Sequence, residues 1–340
     1  ELTLALVLFT DAANAKLGVL KLSLQIPERL LLIGLPLTIL FGFGVGVLVF
    51  PGVTMFELAV LATMLAPTDA ALGKAVVTNP TVPAALREGL NVESGLNDGI
   101  CVPILFVFLT LASDATMKES GFRLGLLLVA QQIGIGLAVG FGLTVAGGWI
   151  LKLGAERRWI TETWRQLPVV ALALMCFAAA QDFGGSGFIA SFTGGIFFGA
   201  LAKHHKHDLL RAAEGVGDTL SLATWASFGS AVVGQLVGEF TWPILIYSVL
   251  SLPLVRMLPV FLSLAGTGLK PGSKLFLGWF GPRGLASVVF AVIVLNHHLP
   301  GGPELALVVA CTVILSILAH GFSANPLAAS LGARDVPGGG

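Results

Sequence analysis

Long apolar runs, each about the length needed to cross a bilayer, alternate along this chain with short polar stretches. They predict membrane helices at roughly 1–12 (partial), 29–50, 53–78, 84–111, 121–150, 165–181, 185–202, 214–238, 241–263, 274–296 and 303–322. Two of these runs are broken by polar residues and backbone breakers. Ala66-Pro67-Thr68-Asp69-Ala70 falls in the middle of 53–78, and Gly281-Pro282-Arg283-Gly284 in the middle of 274–296. Proline removes a helix hydrogen bond and glycine frees the backbone, so both segments should be discontinuous, with unpaired carbonyls and half-helix ends inside the protein. A third run is odd in another way. From Glu88 to Asp98 it carries three acids and two asparagines, and from Ile100 onward it is wholly apolar. Helical spacing places Ser94, Asn97 and Asp98 on one face, with Glu93 beside Asn97.

Interrupted helices in matching positions of two halves point to a transporter built from inverted repeats. Six segments follow the run 121–150 and the broken one is fifth, whereas four precede it and the broken one is third. Equivalent halves would therefore require two further helices upstream and thirteen spans in the intact protein. The expected division, within one transmembrane transporter domain covering 1–340, is a first repeat over 1–111 lacking its first two helices. A linking helix at 121–150, a second repeat over 165–322 and a short cytoplasmic tail at 323–340 complete it. The fold class is an all-α polytopic membrane protein.

Composition agrees. Of 340 residues 55% are hydrophobic and 11% charged, less than half of the roughly 25% usual in soluble domains, and mean hydropathy is +0.91. Net charge is zero, which removes any argument for a nucleic-acid partner. Fifteen of the 19 basic residues fall in loops on one side of the predicted topology, and only Lys118 and Arg123 fall on the other. That asymmetry makes the basic side, with the C-terminus, cytoplasmic. Cys101, Cys176 and Cys311 sit in apolar runs without ligand spacing and read as packing residues.

The intramembrane ionisable residues are few: Asp11, Glu57, Asp69, Glu93, Asp98 and Arg283, with Asp218 and Arg256 nearer the ends of spans. A carboxylate at membrane depth costs roughly 2.5–3.5 kcal/mol even on insertion scales, which makes Asp98 the first candidate for binding something cationic. Carbonyls at the Pro67-Thr68 break, the Ser94 hydroxyl and the carboxylates of Asp69 and Asp98 are hard oxygen ligands suited to Na⁺, Li⁺ or K⁺. Asp69 could equally cap a half-helix. Glu93 and Arg283 are expected to form a buried structural ion pair, with Asn97 donating to break carbonyls. Asp11 is either functional or interfacial, Glu57 is expected to be a solvated acid, and Arg256 to snorkel to the cytoplasmic surface. His204, His205 and His207 read as a solvated, pH-responsive loop patch.

These residues carry a family resemblance. Leu8-Phe9-Thr10-Asp11, Thr68-Asp69, Glu93-Ser94-Gly-Leu-Asn97-Asp98-Gly, Ser186-Gly187-Phe188 and Gly278-Trp-Phe-Gly-Pro-Arg283-Gly284-Leu-Ala-Ser together resemble the monovalent cation:proton antiporter superfamily, in its NhaP-like sodium/proton exchanger branch. The resemblance implies a thirteen-span NhaA/NhaP-like inverted-repeat fold with two crossing unwound helices, a homodimer in the bacterial inner membrane, and exchange by an elevator-like movement in the service of pH homeostasis. It implies that Asp98 carries cation and proton in turn, with Thr68, Asp69 and Ser94 as neighbours and Asp11 reaching the ion through water. Glu93 with Arg283 would be the structural ion pair, and Asn97 would hold the crossing. Asn before Asp98 is the pattern of electroneutral exchange. No cofactor is implied, since Na⁺ or Li⁺ and H⁺ are the transported substrates. Two other readings compete: a K⁺/H⁺ exchanger or cation channel, and an intramembrane serine protease using Ser186, in Gly184-Gly185-Ser186-Gly187, with His320.

Overall fold

The computed structural model describes residues 1–15, 25–69, 72–77, 79–113, 119–157, 159, 161, 164, 167–202, 206–233 and 237–335. Its elements are helical throughout. In order they are α1 (Leu2–Asn14), α2 (Gln25–Arg29), α3 (Leu35–Val49), α4 (Met55–Met64), α5 (Lys74–Val77), α6 (Ala84–Ser113), α7 (Glu119–Glu156) and α8 (Leu167–Asp182). There follow α9 (Gly187–Leu201), α10 (Lys206–Phe228), α11 (Trp242–Leu250), α12 (Leu258–Ser263), α13 (Pro271–Trp279), α14 (Leu285–Asn296) and α15 (Gly302–Asp335). Among the described residues, five stretches are long and apolar enough to cross a membrane: Ile26–Val49, Ala84–Ser113, Leu127–Gly154, Trp242–Ser263 and Gly302–Ser330. Met55–Met64 and Leu285–Asn296 are among the shorter apolar helices. Both predicted interruptions are present, the first between α4 and α5, the second between α13 and α14. The last helix runs on through Asp335.

Several joints between helices are wider turns. Leu30–Gly34 joins α2 to α3 as a π-helical segment, and Ser251–Met257 joins α11 to α12 in the same way. Pro253 and Pro259 lie in and just after the second, where each removes a backbone donor that a regular α-helix would use.

The chain forms two compact units. The first comprises Glu1–Ala15 and Val102–Gly229, the second Lys16–Cys101 and Ser230–Gly340. The boundary within α6 lies one residue before Val102, next to Pro103. In the first unit α9 packs against α1 and α7 around Leu6, Phe9, Leu172, Cys176 and Phe198, all buried. The approach is close because Gly195 has no side chain: a Cβ there would overlap the carbonyl of Phe9. In the second unit Leu30, Val76, Leu90, Val260, Phe276 and Phe280 form a buried cluster that draws residues from the neighbourhood of both breaks.

The helix starts explain one misreading. Glu57 was expected to be solvated, but it is 3% exposed. Its Oε2 accepts from the Thr54 amide (3.2 Å) and hydroxyl (2.8 Å), while Thr54 Oγ1 accepts from the Glu57 amide, which completes a capping box at the start of α4. Oε1 accepts from the Gly301 amide at 2.7 Å, so the same carboxylate ties α4 to the loop before α15. Burial is affordable because every bond it makes satisfies an otherwise orphaned donor.

Candidate functional site

The site lies in the second unit, where the two breaks meet the polar stretch of α6. A break in a helix strands backbone carbonyls and amides, and here each segment satisfies much of the other's need. Arg283, from the second break, donates through Nη1 to the carbonyls of Ala66 (3.1 Å) and Pro67 (3.3 Å) in the first. The Asp69 amide donates to the Pro282 carbonyl at 2.8 Å. Asp69 Oδ2 accepts from the Leu285 amide at 3.0 Å, at the first residue of α14, and Oδ1 accepts from the Leu72 amide at 3.3 Å. Asp69 therefore caps a half-helix of the opposite broken segment. That contact needs glycine at 284, since a Cβ there would overlap the Asp69 carboxylate.

Helix α6 supplies the third wall. Ser94 Oγ donates to the Thr68 carbonyl at 2.5 Å, and Asn97 Nδ2 donates to Thr68 Oγ1 at 2.7 Å. Asn97 Oδ1 has no hydrogen-bond partner among the described residues. Asp98 lies one helical turn from Ser94 and is buried at 8% exposure. Thr68, Asp69, Ser94, Leu90, Phe280 and Pro282 line a cavity of about 10 Å³, room for a single water or a bare monovalent ion. Asp98 is not among its lining residues.

The expected pairing of Glu93 with Arg283 is corrected by the geometry. Glu93 is held by Arg256 in a bidentate ion pair, Nη1 to Oε1 at 2.6 Å and Nη2 to Oε2 at 2.7 Å, with both side chains buried. Arg256 does not snorkel; it is 1% exposed. The reason lies in the π-helical turn Ser251–Met257, whose extra residues per turn rotate the arginine away from the face that a regular helix would give it. Arg283, freed of that role, serves the break carbonyls, and its Nε and Nη2 have no hydrogen-bond partner among the described residues. An arginine in the middle of an apolar run was the signal that could have identified Arg256, once its burial rather than its distance from the span's end was weighed.

The remaining candidates lie elsewhere. Asp11 belongs to α1 of the first unit and is half-buried. Asp218 is exposed on α10. The expected patch of His204, His205 and His207 lies outside the residues whose side chains are described. Ser186 is the N-cap of α9, its Oγ accepting from the Ile189 amide at 3.4 Å, and both ring nitrogens of His320 face Ser316 and Trp279. Each half of the hypothetical protease pair thus has a structural partner.

Comparison with known proteins follows the same lines. The family model described as "Sodium/hydrogen exchanger, transmembrane" matches residues 1–330. A K(+)/H(+) antiporter NhaP2 from Shewanella sp. (strain ANA-3) is 24% identical over 280 residues, covering 82% of this chain and 47% of its own length. A Na(+)/H(+) antiporter from Schizosaccharomyces pombe is 25% identical over 310 residues, covering 82% and 65%. The chain thus spans about half the length of the bacterial relative. Among solved structures, the sodium proton antiporter MjNhaP1 from Methanocaldococcus jannaschii at pH 8 superposes with a TM-score of 0.78 at 19% identity, over 97% of this chain and 84% of that one.

Proposed function

The chain belongs to the sodium/hydrogen exchanger family, and from that premise we propose that it is a secondary active antiporter in which a monovalent cation and a proton compete for Asp98. The observation that carries this reading is the buried Asp98 on the face of α6 whose Ser94 and Asn97 are bonded to the first break. Unprotonated, the carboxylate attracts a small cation toward the oxygens of Thr68, Asp69 and Ser94; protonated, it has no charge with which to hold one. Alternating exposure of this one site to the two sides of the membrane then couples inward movement of one ion to outward movement of the other. Asn97 Oδ1 adds a further buried oxygen for a cation or its water.

Charge balance supports a one-for-one exchange. Among the described residues, five ionisable side chains lie in the two breaks, on α6 from Glu93 to Asp98, or in an ion pair with that turn: Asp69, Glu93, Asp98, Arg256 and Arg283. Glu93 and Arg256 cancel, and Arg283 offsets one of the two aspartates, so one negative charge remains. Either a proton or a single monovalent cation neutralises it. A loaded bundle is then neutral whichever substrate it carries, and bare charge never crosses the oil.

The preferred ion is Na⁺ or Li⁺ by the hard-oxygen set, and K⁺ by the names of the NhaP2 relatives. The protein works as a homodimer in the plasma membrane, with its basic loops and C-terminus in the cytoplasm. In everted vesicles holding a preset pH gradient, adding NaCl, LiCl or KCl should collapse the gradient in the order of ion preference, and Asp98→Asn should abolish the response to all three. Exchange that persists in the variant would remove Asp98 from its role.

A further inference from the structure

The second break is bonded to more than the first. Three polar side chains of α15 that share one stripe, Ser316, His320 and Ser323, stand at successive spacings of four and three residues. All three reach the broken segment. The Arg283 amide donates to Ser316 Oγ at 2.8 Å, and the indole Nε1–H of Trp279 donates to Ser323 Oγ at 2.8 Å. Between them His320, 4% exposed, places Nε2 at 2.7 Å from the Trp279 carbonyl and Nδ1 at 2.7 Å from the Ser316 carbonyl and 3.2 Å from its hydroxyl.

A carbonyl oxygen can only accept, and Nε2 faces that of Trp279 alone, whereas Nδ1 faces the Ser316 hydroxyl as well as the Ser316 carbonyl; the neutral tautomer that gives both nitrogens a partner therefore carries its proton on Nε2. A neutral ring then has a bare Nδ1, which the Ser316 hydroxyl can fill because that hydroxyl accepts from Arg283 and still has its own proton to give. A charged ring would donate from Nδ1 to the Ser316 carbonyl instead. Nε2–H is common to both. The result is a continuous path from the Trp279 carbonyl, at the end of α13, through His320 and Ser316 to the Arg283 amide. It bridges the unwound residues 280–283 by way of a third helix. Those residues hold the Pro282 carbonyl that receives the Asp69 amide and the guanidinium that holds Ala66 and Pro67.

We propose that Ser316 and His320 are positioning residues for exchange: together they fix the length and direction of the second break, and through it the place of Asp69 and Thr68 in the ion site. This rests on the antiport reading for its functional consequence, but the bridge itself does not.

Two measurements separate the two. Glutamine offers one donor and one acceptor at about the reach of the imidazole, whereas leucine fills similar space with neither. His320→Leu should raise the apparent KM for the transported cation by about tenfold, the scale on which outer partners of ion ligands act. His320→Gln should restore most of that loss. Equal behaviour of the two variants would overturn the proposal. Should His320→Leu fail to give a monodisperse protein, Ser316→Ala, which removes one hydroxyl, takes its place with the same expected rise; an unchanged KM there would overturn it as well. The second measurement needs no transport: in protein carrying ¹⁵N-labelled histidine, the signal lost in His320→Gln should be that of a protonated Nε2 in a strong hydrogen bond. A Nδ1–H tautomer with bare Nε2 would refute the bridge even if exchange is robust, while a protonated Nε2 in a protein that exchanges no ion would leave the bridge standing and sink the antiport reading.

Discussion

Arg256 shows how the energetics work at the scale of one residue. It and Glu93 are both out of water, joined by two charge-assisted hydrogen bonds that Arg256 donates and Glu93 accepts. Deleting one partner leaves the other charged and buried, a loss of about 3–5 kcal/mol, whereas replacing both removes the desolvation cost along with the attraction. Arg256→Met should therefore lower the melting temperature of the detergent-purified protein and its folded yield, and the Glu93→Gln/Arg256→Met double variant should recover most of both. If the double variant melts no higher than the single, the pair is not what stabilises the site. At this scale the sequence was informative about which residues matter and poor about which of them touch. Asp69, Ser94, Asn97 and Arg283 were all legible as anomalies in apolar runs, and the structure brings them to the breaks. The choice of Arg283 over Arg256 for Glu93 failed because charge complementarity between two arginines and one acid does not select a partner; only the local helix geometry does.

Among the elements, both discontinuous helices were legible because Pro67, Pro282 and their flanking glycine and polar residues interrupt otherwise apolar runs. What spacing could not reveal was the π-helical turns. Inserting an extra residue into a helical turn rotates everything beyond it by about 100°, so a face drawn at 3.6 residues per turn is wrong past Ser251. The glycine after the second break yields a sharp expectation. A methyl group at Gly284 must displace either the Asp69 carboxylate or the start of α14, so Gly284→Ala should cost about 1–3 kcal/mol in thermal unfolding and impair exchange at the same time. Its neighbour in space gives the complementary case. Asp69→Asn keeps an oxygen for the Leu285 amide and should melt close to the parent, while its cation affinity falls. A variant that melts far lower would show that the charge on Asp69 serves the cap more than the ion.

For the whole molecule, the relevant quantity is net charge during turnover. If the cycle exchanges one cation for one proton at a single carboxylate, its rate is indifferent to membrane voltage. A cycle moving one net charge would instead gain or lose about 2.3 kcal/mol per 100 mV. Rates in proteoliposomes with and without a valinomycin-clamped potential should match, tested with Na⁺ or Li⁺ so that the clamp ion is not the substrate. Competition also sets the sign of the pH effect: below the pH at which Asp98 takes up its proton, apparent KM for the cation should rise about tenfold per unit while the rate at saturating cation changes little. A falling maximal rate with constant KM would mean that protons act somewhere else. Hydropathy alone was enough to recognise a polytopic membrane protein. It could not say that residues 16–101 join 230–340 in one compact unit, because span counting is blind to which helices pair.

The reciprocal bonding of the two breaks also bears on how the chain can be divided. Pro282 takes the Asp69 amide, Asp69 takes the Leu285 amide, and Arg283 takes the carbonyls of Ala66 and Pro67. A gene split anywhere between them would yield two fragments, each inserting into the membrane with polar backbone that only its counterpart can satisfy. Neither piece is self-sufficient, and only cells making both at once would accumulate either.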